Sequence, residues 1–200
     1  MAHTKTQTRR MAQMAILAAI VVLMAFTPLG YLRTGPVSIT FLMIPVVIGA
    51  VVVGPAAGAI LGGIFGVTSF IQCFGMEPFG TLLFGINPFF TFIMCMIPRI
   101  LAGWLPGLLF KALQRIDRTK LVSYAASCLS GALLNTLLFL AGLLLFFHGN
   151  ADVYGALGAD SALAVITAIF TANALLEAAV CLVIGTAIAK VIVRFTRQAA

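Results

Sequence analysis

One charge inside an apolar stretch constrains this chain more than any other feature. Residues Ile86 to Gly107, INPFFTFIMCMIPRILAGWLPG, are long and apolar enough to cross a bilayer, yet Arg99 lies near their middle. A cation at that depth costs at least ~2.5–3.5 kcal/mol on insertion scales, so it faces a bundle interior, a cavity or a partner charge. Asn87, Thr91, Cys95, Arg99 and Gly103 follow at four-residue steps. Neighbouring members of such a row share a side of a helix, although the row drifts by about 40° per step at 3.6 residues per turn. Pro98 is expected to kink the helix just before the arginine, a break that membrane helices tolerate where neighbours re-satisfy the freed backbone. Two readings of Arg99 follow: it pairs with Glu177 and locks the bundle, or it lies in or beside a ligand site.

The rest of the chain has the same character. Apolar residues make up 62% of it and charged residues only 8%, with a mean hydropathy of +1.16. An ordinary soluble domain carries roughly 25% charged residues, so a polytopic membrane protein is predicted, as a single membrane domain over residues 1–200. The first apolar stretch is long and has no small-residue cleavage site, so a cleavable signal peptide is not expected. Cys73, Cys95, Cys128 and Cys181 lack CxxC spacing and lie mostly in apolar runs, where they read as small buried hydrophobes, not a metal site or disulfide frame.

The apolar runs predict an all-α integral membrane protein, a six-transmembrane-helix bundle with helices over roughly 11–27, 39–53, 56–71, 87–113, 121–147 and 161–193. Gly54-Pro55 separates the second helix from the third. Gly58, Gly62 and Gly66 give the third a close-packing seam. The segment QCFGMEPFGTLLFG, with Glu77, is short and broken and reads as an ordered or re-entrant loop, and HGNADVYGALGAD as an outer loop. Lys5, Arg9 and Arg10, then Lys111, Arg115, Arg118 and Lys120, then Lys190, Arg194 and Arg197 account for all the Lys and Arg except Arg33 and Arg99. Glu77, Asp152 and Asp160 fall in the opposite loops. The positive-inside rule then places both termini in the cytoplasm, and the basic residues orient the chain in the bilayer; they do not imply nucleic acid.

Asn87, Arg99, Asn135, Asn173 and Glu177 are the polar residues expected at membrane depth. With the loop holding Tyr31 and Arg33 and the Glu77 loop above them, they form a candidate substrate pocket opening to the outer side. Such a pocket is mostly apolar with a few orienting groups. An arginine with several amides suits a small carboxylate bearing hydroxyl or amide groups. No nucleophile–base pair, metal-ligand cluster, HExxH or phosphate loop is apparent, so no enzyme activity, metal or cofactor is predicted. If transport uses ATP, another chain supplies it. On the first helix Ala15 and Ala19 allow close approach, either of a neighbour in the bundle or of a second subunit.

These stretches also resemble a family. AILAAIVVLMAFTPLGYLRTGPVSITFLMIPVVIGAVVVGP at the front, PRILAGWLPGLLFKAL, GALLNTLLF and TANALLEAA together are similar to the substrate-binding S component of an energy-coupling factor (ECF) vitamin transporter. The TPLGYLRTGPVS loop and IPVVIGAVVVGP are most similar to the pantothenate type. The resemblance implies a bacterial plasma-membrane protein that binds its vitamin from outside. Through Ala15 and Ala19 it would associate with a transmembrane coupling (T) subunit and two ABC ATPase subunits, and topple in the membrane to open inward. Asn135 and Asn173 would contact the vitamin, and the loop around Tyr31 would act as a lid. Other ligands for the same family (riboflavin, folate, a queuosine precursor, a thiamin-related compound), a proton-coupled secondary transporter using Glu177 and an intramembrane enzyme are the competing readings. The secondary transporter should show inverted repeats, and none is evident.

Overall fold

The computed structural model describes residues 2–32, 38–115, 117, 121–159, 161–169 and 174–191. The first helix, α1 (Ala2–Ala25), starts inside the basic N-terminal segment. A two-strand hairpin follows, β1 (Tyr31–Leu32) antiparallel to β2 (Ile39–Thr40), with Tyr31 opposite Thr40. Then come α2 (Met43–Val52), α3 (Pro55–Gln72), α4 (Pro78–Ile86), α5 (Pro88–Leu113) and α6 (Leu121–Phe147). The last part contains α7 (Ala151–Ala156), α8 (Ala162–Ile169) and α9 (Leu175–Val180). A π-helical turn, Cys181–Gly185, continues α9 into helical residues 186–191.

Among the described residues four helical stretches are long and apolar enough to span a membrane: Gln7–Ala25, α3, α5 and α6. Two of the six expected spans take other forms. The helix expected over 39–53 begins only at Met43, because Ile39 and Thr40 pair with β1. The resulting α2 is short and buried from Met43 to Val51, so it acts as a core helix walled in by α1, α3, α5 and α6. The span expected over 161–193 is described as α8 and then as the α9–π–helix run, with residues 170–173 and 192–200 outside the described residues.

Two segments expected to be loops are helical. Pro78 sits at the first position of α4, where its missing N–H costs nothing. Glu77 caps the helix by accepting from Gly80 N. Residue Asn87, which precedes Pro88, is extended (φ −154°, ψ 103°) and separates α4 from α5. In the outer loop Asn150 accepts from the amides of Asp152 (3.0 Å) and Val153 (3.2 Å), which starts α7.

The tightest packing joins α3 to α5. A Cβ on Gly58 would meet the Gly103 carbonyl, and one on Gly62 the Arg99 carbonyl. On Gly66 it would lie 2.8 Å from the Cys95 carbonyl. The four-residue rows of the two helices thus run antiparallel against each other, backbone to backbone, as small-residue seams in membranes do. This seam fixes where Arg99 sits on α5. Its carbonyl faces α3, while its side chain is left to turn toward the space between α3, α4 and α6.

Candidate functional site

That space is a cavity at the end of the bundle opposite the chain's N-terminus, about 770 Å³ including its open mouth. The hairpin contributes Tyr31, Ser38 and Thr40; α3 contributes Phe65, Ser69 and Gln72, and α4 Phe79 and Leu83. From α5 come Thr91, Met94, Cys95 and Arg99, from α6 Asn135, Thr136 and Phe139, and from α9 Glu177. Glu77 also lines the cavity.

Arg99 has no acidic partner among the described residues. Its Nη1 donates to the Met94 carbonyl at 2.6 Å. The guanidinium carbon lies 5.5 Å from the Phe65 ring centre and 5.4 Å from that of Phe139, so aromatic rings of α3 and α6 flank it. Nε is buried with no hydrogen-bond partner. The expected alternative, an ion pair with Glu177, is not formed. The Glu177 carboxylate instead accepts from the Thr40 amide (2.8 Å) and the Thr136 hydroxyl (3.4 Å), which ties α9 to the hairpin and to α6. Glu77 is also engaged, with Gly80 N and with the Ser38 hydroxyl at 3.4 Å. Both carboxylates thus bond to groups of the scaffold, and among the described residues Arg99 is the cation that lines the cavity.

Asn135 and Tyr31 complete the constellation. Asn135 is buried with Oδ1 unpartnered, and the Tyr31 hydroxyl is likewise buried and unpartnered, beside Ser69 and Gln72. Burial raises the Tyr31 hydroxyl's pKa above its ordinary value, which keeps it a neutral donor. Native interiors pair nearly all buried polar groups. Of the buried side-chain polar atoms without partners among the described residues, those of Tyr31, Arg99 and Asn135 all line this one cavity. The others, on Ser127 and Thr186, do not.

The structure thus gathers Tyr31, Arg99, Asn135 and Glu177 from the sequence candidates. Asn87 is elsewhere. It caps α5 by accepting from the Phe89 (3.1 Å) and Phe90 (3.2 Å) amides, and it does not line the cavity. Arg33 and Asn173 lie outside the described residues. Thr40, Ser69, Gln72 and Thr136 join the site without having been singled out. Thr136 adjoins Asn135 in sequence, and Gln72 is an amide at the end of an apolar helix, a signal open to reading; nothing local marks Thr40. On α1, Ala15 and Ala19 are exposed while Leu17 and Val21 are buried, so the chain's own helices leave that small-residue face uncovered.

Over residues 9–189 the chain matches the family model described as "ECF transporter, substrate-specific component". It is 29% identical over 197 residues to the pantothenic acid transporter PanT of Lactococcus lactis subsp. cremoris, covering 92% of this chain and 93% of that protein. It is also 30% identical over 141 residues to the pantothenate transporter PanT of Leuconostoc mesenteroides subsp. mesenteroides, covering 66% of this chain and 67% of that one. The chain belongs to the substrate-specific components of ECF transporters, a family of membrane transport components, not of enzymes.

Proposed function

We propose that this chain is the pantothenate-binding S component of an ECF-type ABC importer in a bacterial plasma membrane, with Arg99 holding the ligand's carboxylate. The observation that carries the reading is an arginine in a largely apolar cavity, near two aromatic rings and paired with no carboxylate among the described residues. Pantothenate offers a carboxylate, an amide, two hydroxyls and a compact dimethyl group. Arg99 suits the first, and Asn135, Tyr31, Gln72 and the threonines suit the amide and hydroxyls. Phe65, Leu83, Met94 and Phe139 suit the apolar part. The names of both relatives support the same ligand.

The distribution of basic residues and the family together support the remaining parts of the proposal. Both termini lie in the cytoplasm, so the cavity end faces outward, and Asn173 and Arg33 join the ligand site. The exposed Ala15–Ala19 face receives the T subunit, and two ATPase subunits supply ATP hydrolysis.

The test is isothermal titration of the purified, ligand-stripped chain with pantothenate and a panel of other vitamins. Tight one-to-one binding of pantothenate alone is expected. Arg99→Gln should weaken it by about 10- to 100-fold, the worth of one charge-assisted hydrogen bond, with thermal stability retained. Unchanged affinity in Arg99→Gln removes the carboxylate role, and tight binding of a different vitamin replaces the substrate.

A further inference from the structure

The atom that anchors Arg99 is not an arbitrary carbonyl. Met94 stands four residues before Pro98, within the uninterrupted helix α5. In a regular helix the N–H of residue 98 would donate to the Met94 carbonyl, but proline has no N–H to give. The acceptor left over is the one that receives Arg99 Nη1 at 2.6 Å. Met94 and Pro98 are both buried within the span, so that carbonyl is shielded from lipid and left for a side-chain donor.

We infer that Pro98 is a positioning residue for ligand recognition: by withdrawing one backbone N–H it frees the Met94 carbonyl to hold the Arg99 guanidinium toward the cavity. The inference rests on the carboxylate reading of Arg99 given above and deepens it. Two things follow from the geometry. First, the arginine is preorganised, because Nη1 is fixed to the helix's own backbone and its guanidinium carbon lies within 5.5 Å of the Phe65 and Phe139 ring centres. A donor already in place loses less freedom when the ligand arrives. Second, the anchor is a neutral carbonyl, so it takes up one donor without neutralising the charge, as an ion pair with Glu177 would. The proline therefore acts on selectivity for a negative ligand and not on the cavity's shape.

The full-length chain, purified and stripped of ligand, is titrated with pantothenate and with its neutral alcohol analogue, in which CH2OH replaces the carboxylate. Wild type should prefer pantothenate by about 10- to 100-fold, the worth of a charge-assisted hydrogen bond. In Pro98→Ala the restored N–H competes for the Met94 carbonyl, and that preference should fall at least severalfold while affinity for the alcohol stays within about twofold. In the background of Arg99→Gln the same change should leave the ratio alone, since the two residues act through one contact. Pro98→Gly also restores the N–H and should reproduce the loss.

Three results would overturn the inference. A preserved preference in Pro98→Ala and Pro98→Gly means the proline does not set the arginine. Equal weakening of both ligands means its role is only structural. Loss of fold in both variants also counts against it, since a helix with that hydrogen bond restored should be no less stable than one that lacks it. A wild type with no preference for the carboxylate is a separate result, and it overturns the reading of Arg99 itself before any variant is made.

Discussion

The α3–α5 seam and the cavity beside it are built from adjacent residues of the same two helices, yet they follow opposite rules. At the seam Gly58, Gly62 and Gly66 bring the backbone of α3 against the carbonyls of Gly103, Arg99 and Cys95. At the cavity Phe65, Ser69 and Gln72, from the same helix, stand off from α5 and α6 around polar atoms that lack partners. Close packing in lipid gains dispersion contacts without any help from water, so the seam is where the helices are fixed. Unpartnered polar groups cost stability wherever they are buried, so the cavity is tolerable only because a rigid neighbour holds it open. The seam makes the site affordable, and the comparison can be broken at either region.

The largest effect is expected at the seam, where two consecutive glycines give a built-in control. A Cβ at Gly62 meets the Arg99 carbonyl and lies 3.2 Å from the Ile100 Cα, whereas one at Gly63 finds only the Ile100 side chain at 3.9 Å. Gly62→Ala must push the two backbones apart and should cost about 3 kcal/mol, at the upper end for overpacking. Since it displaces Arg99, it should weaken pantothenate binding as well. Gly63→Ala should be neutral or stabilising by up to ~1 kcal/mol through helix propensity alone. Thermal denaturation of the two variants side by side decides the matter. Similar melting points would mean the seam is not the rigid element assumed here.

A smaller effect is expected where the cavity is latched. Glu177→Leu removes the acceptor of the Thr40 amide and of the Thr136 hydroxyl. Leaving a buried amide unpaired costs about 1–3 kcal/mol. Because that amide belongs to a two-residue strand, the loss should appear locally, as faster hydrogen exchange at Thr40 and in its hairpin neighbours, before it appears in the melting point. Exchange at Thr40 that matches wild type would show that the hairpin is held by something other than this carboxylate.

These two regions were unequally legible in the sequence, for a physical reason. The glycine row and the lone Arg99 are local patterns, since spacing along one helix and charge within one apolar run need no knowledge of neighbours. The Glu177–Thr40 bond joins residues 137 apart and uses a backbone amide, which every residue type carries. Glu177 was therefore recognisable as a buried carboxylate, while its partner was not, and Arg99 was the natural but mistaken candidate for an ion pair. The hairpin leaves no mark in the sequence, because two-residue strands have no periodicity to show. In α4 and α7 the capping residues Glu77, Pro78 and Asn150 were visible, but the surrounding glycines made the segments read as loops.

Asn87 shows the same limit in a form that can be tested, and it carries the smallest expected effect. It begins the row that continues through Thr91, Cys95 and Arg99, which made it a candidate for the ligand site. The dipeptide Asn87-Pro88 is equally a helix-start signal. In the structure the second meaning is the one expressed: its side chain receives the Phe89 and Phe90 amides, and the backbone carbonyl takes the Thr91 hydroxyl at 2.9 Å. Asn87→Ala should therefore cost about 1 kcal/mol, the usual worth of an N-cap. Pantothenate affinity should move by no more than about twofold, because Thr91 keeps its backbone acceptor and α5 is still pinned to α3 further along. If Asn87→Ala instead weakens pantothenate as much as Arg99→Gln does while the melting point holds, the residue reaches the ligand, and the boundary drawn here between scaffold and site lies too deep in the bundle.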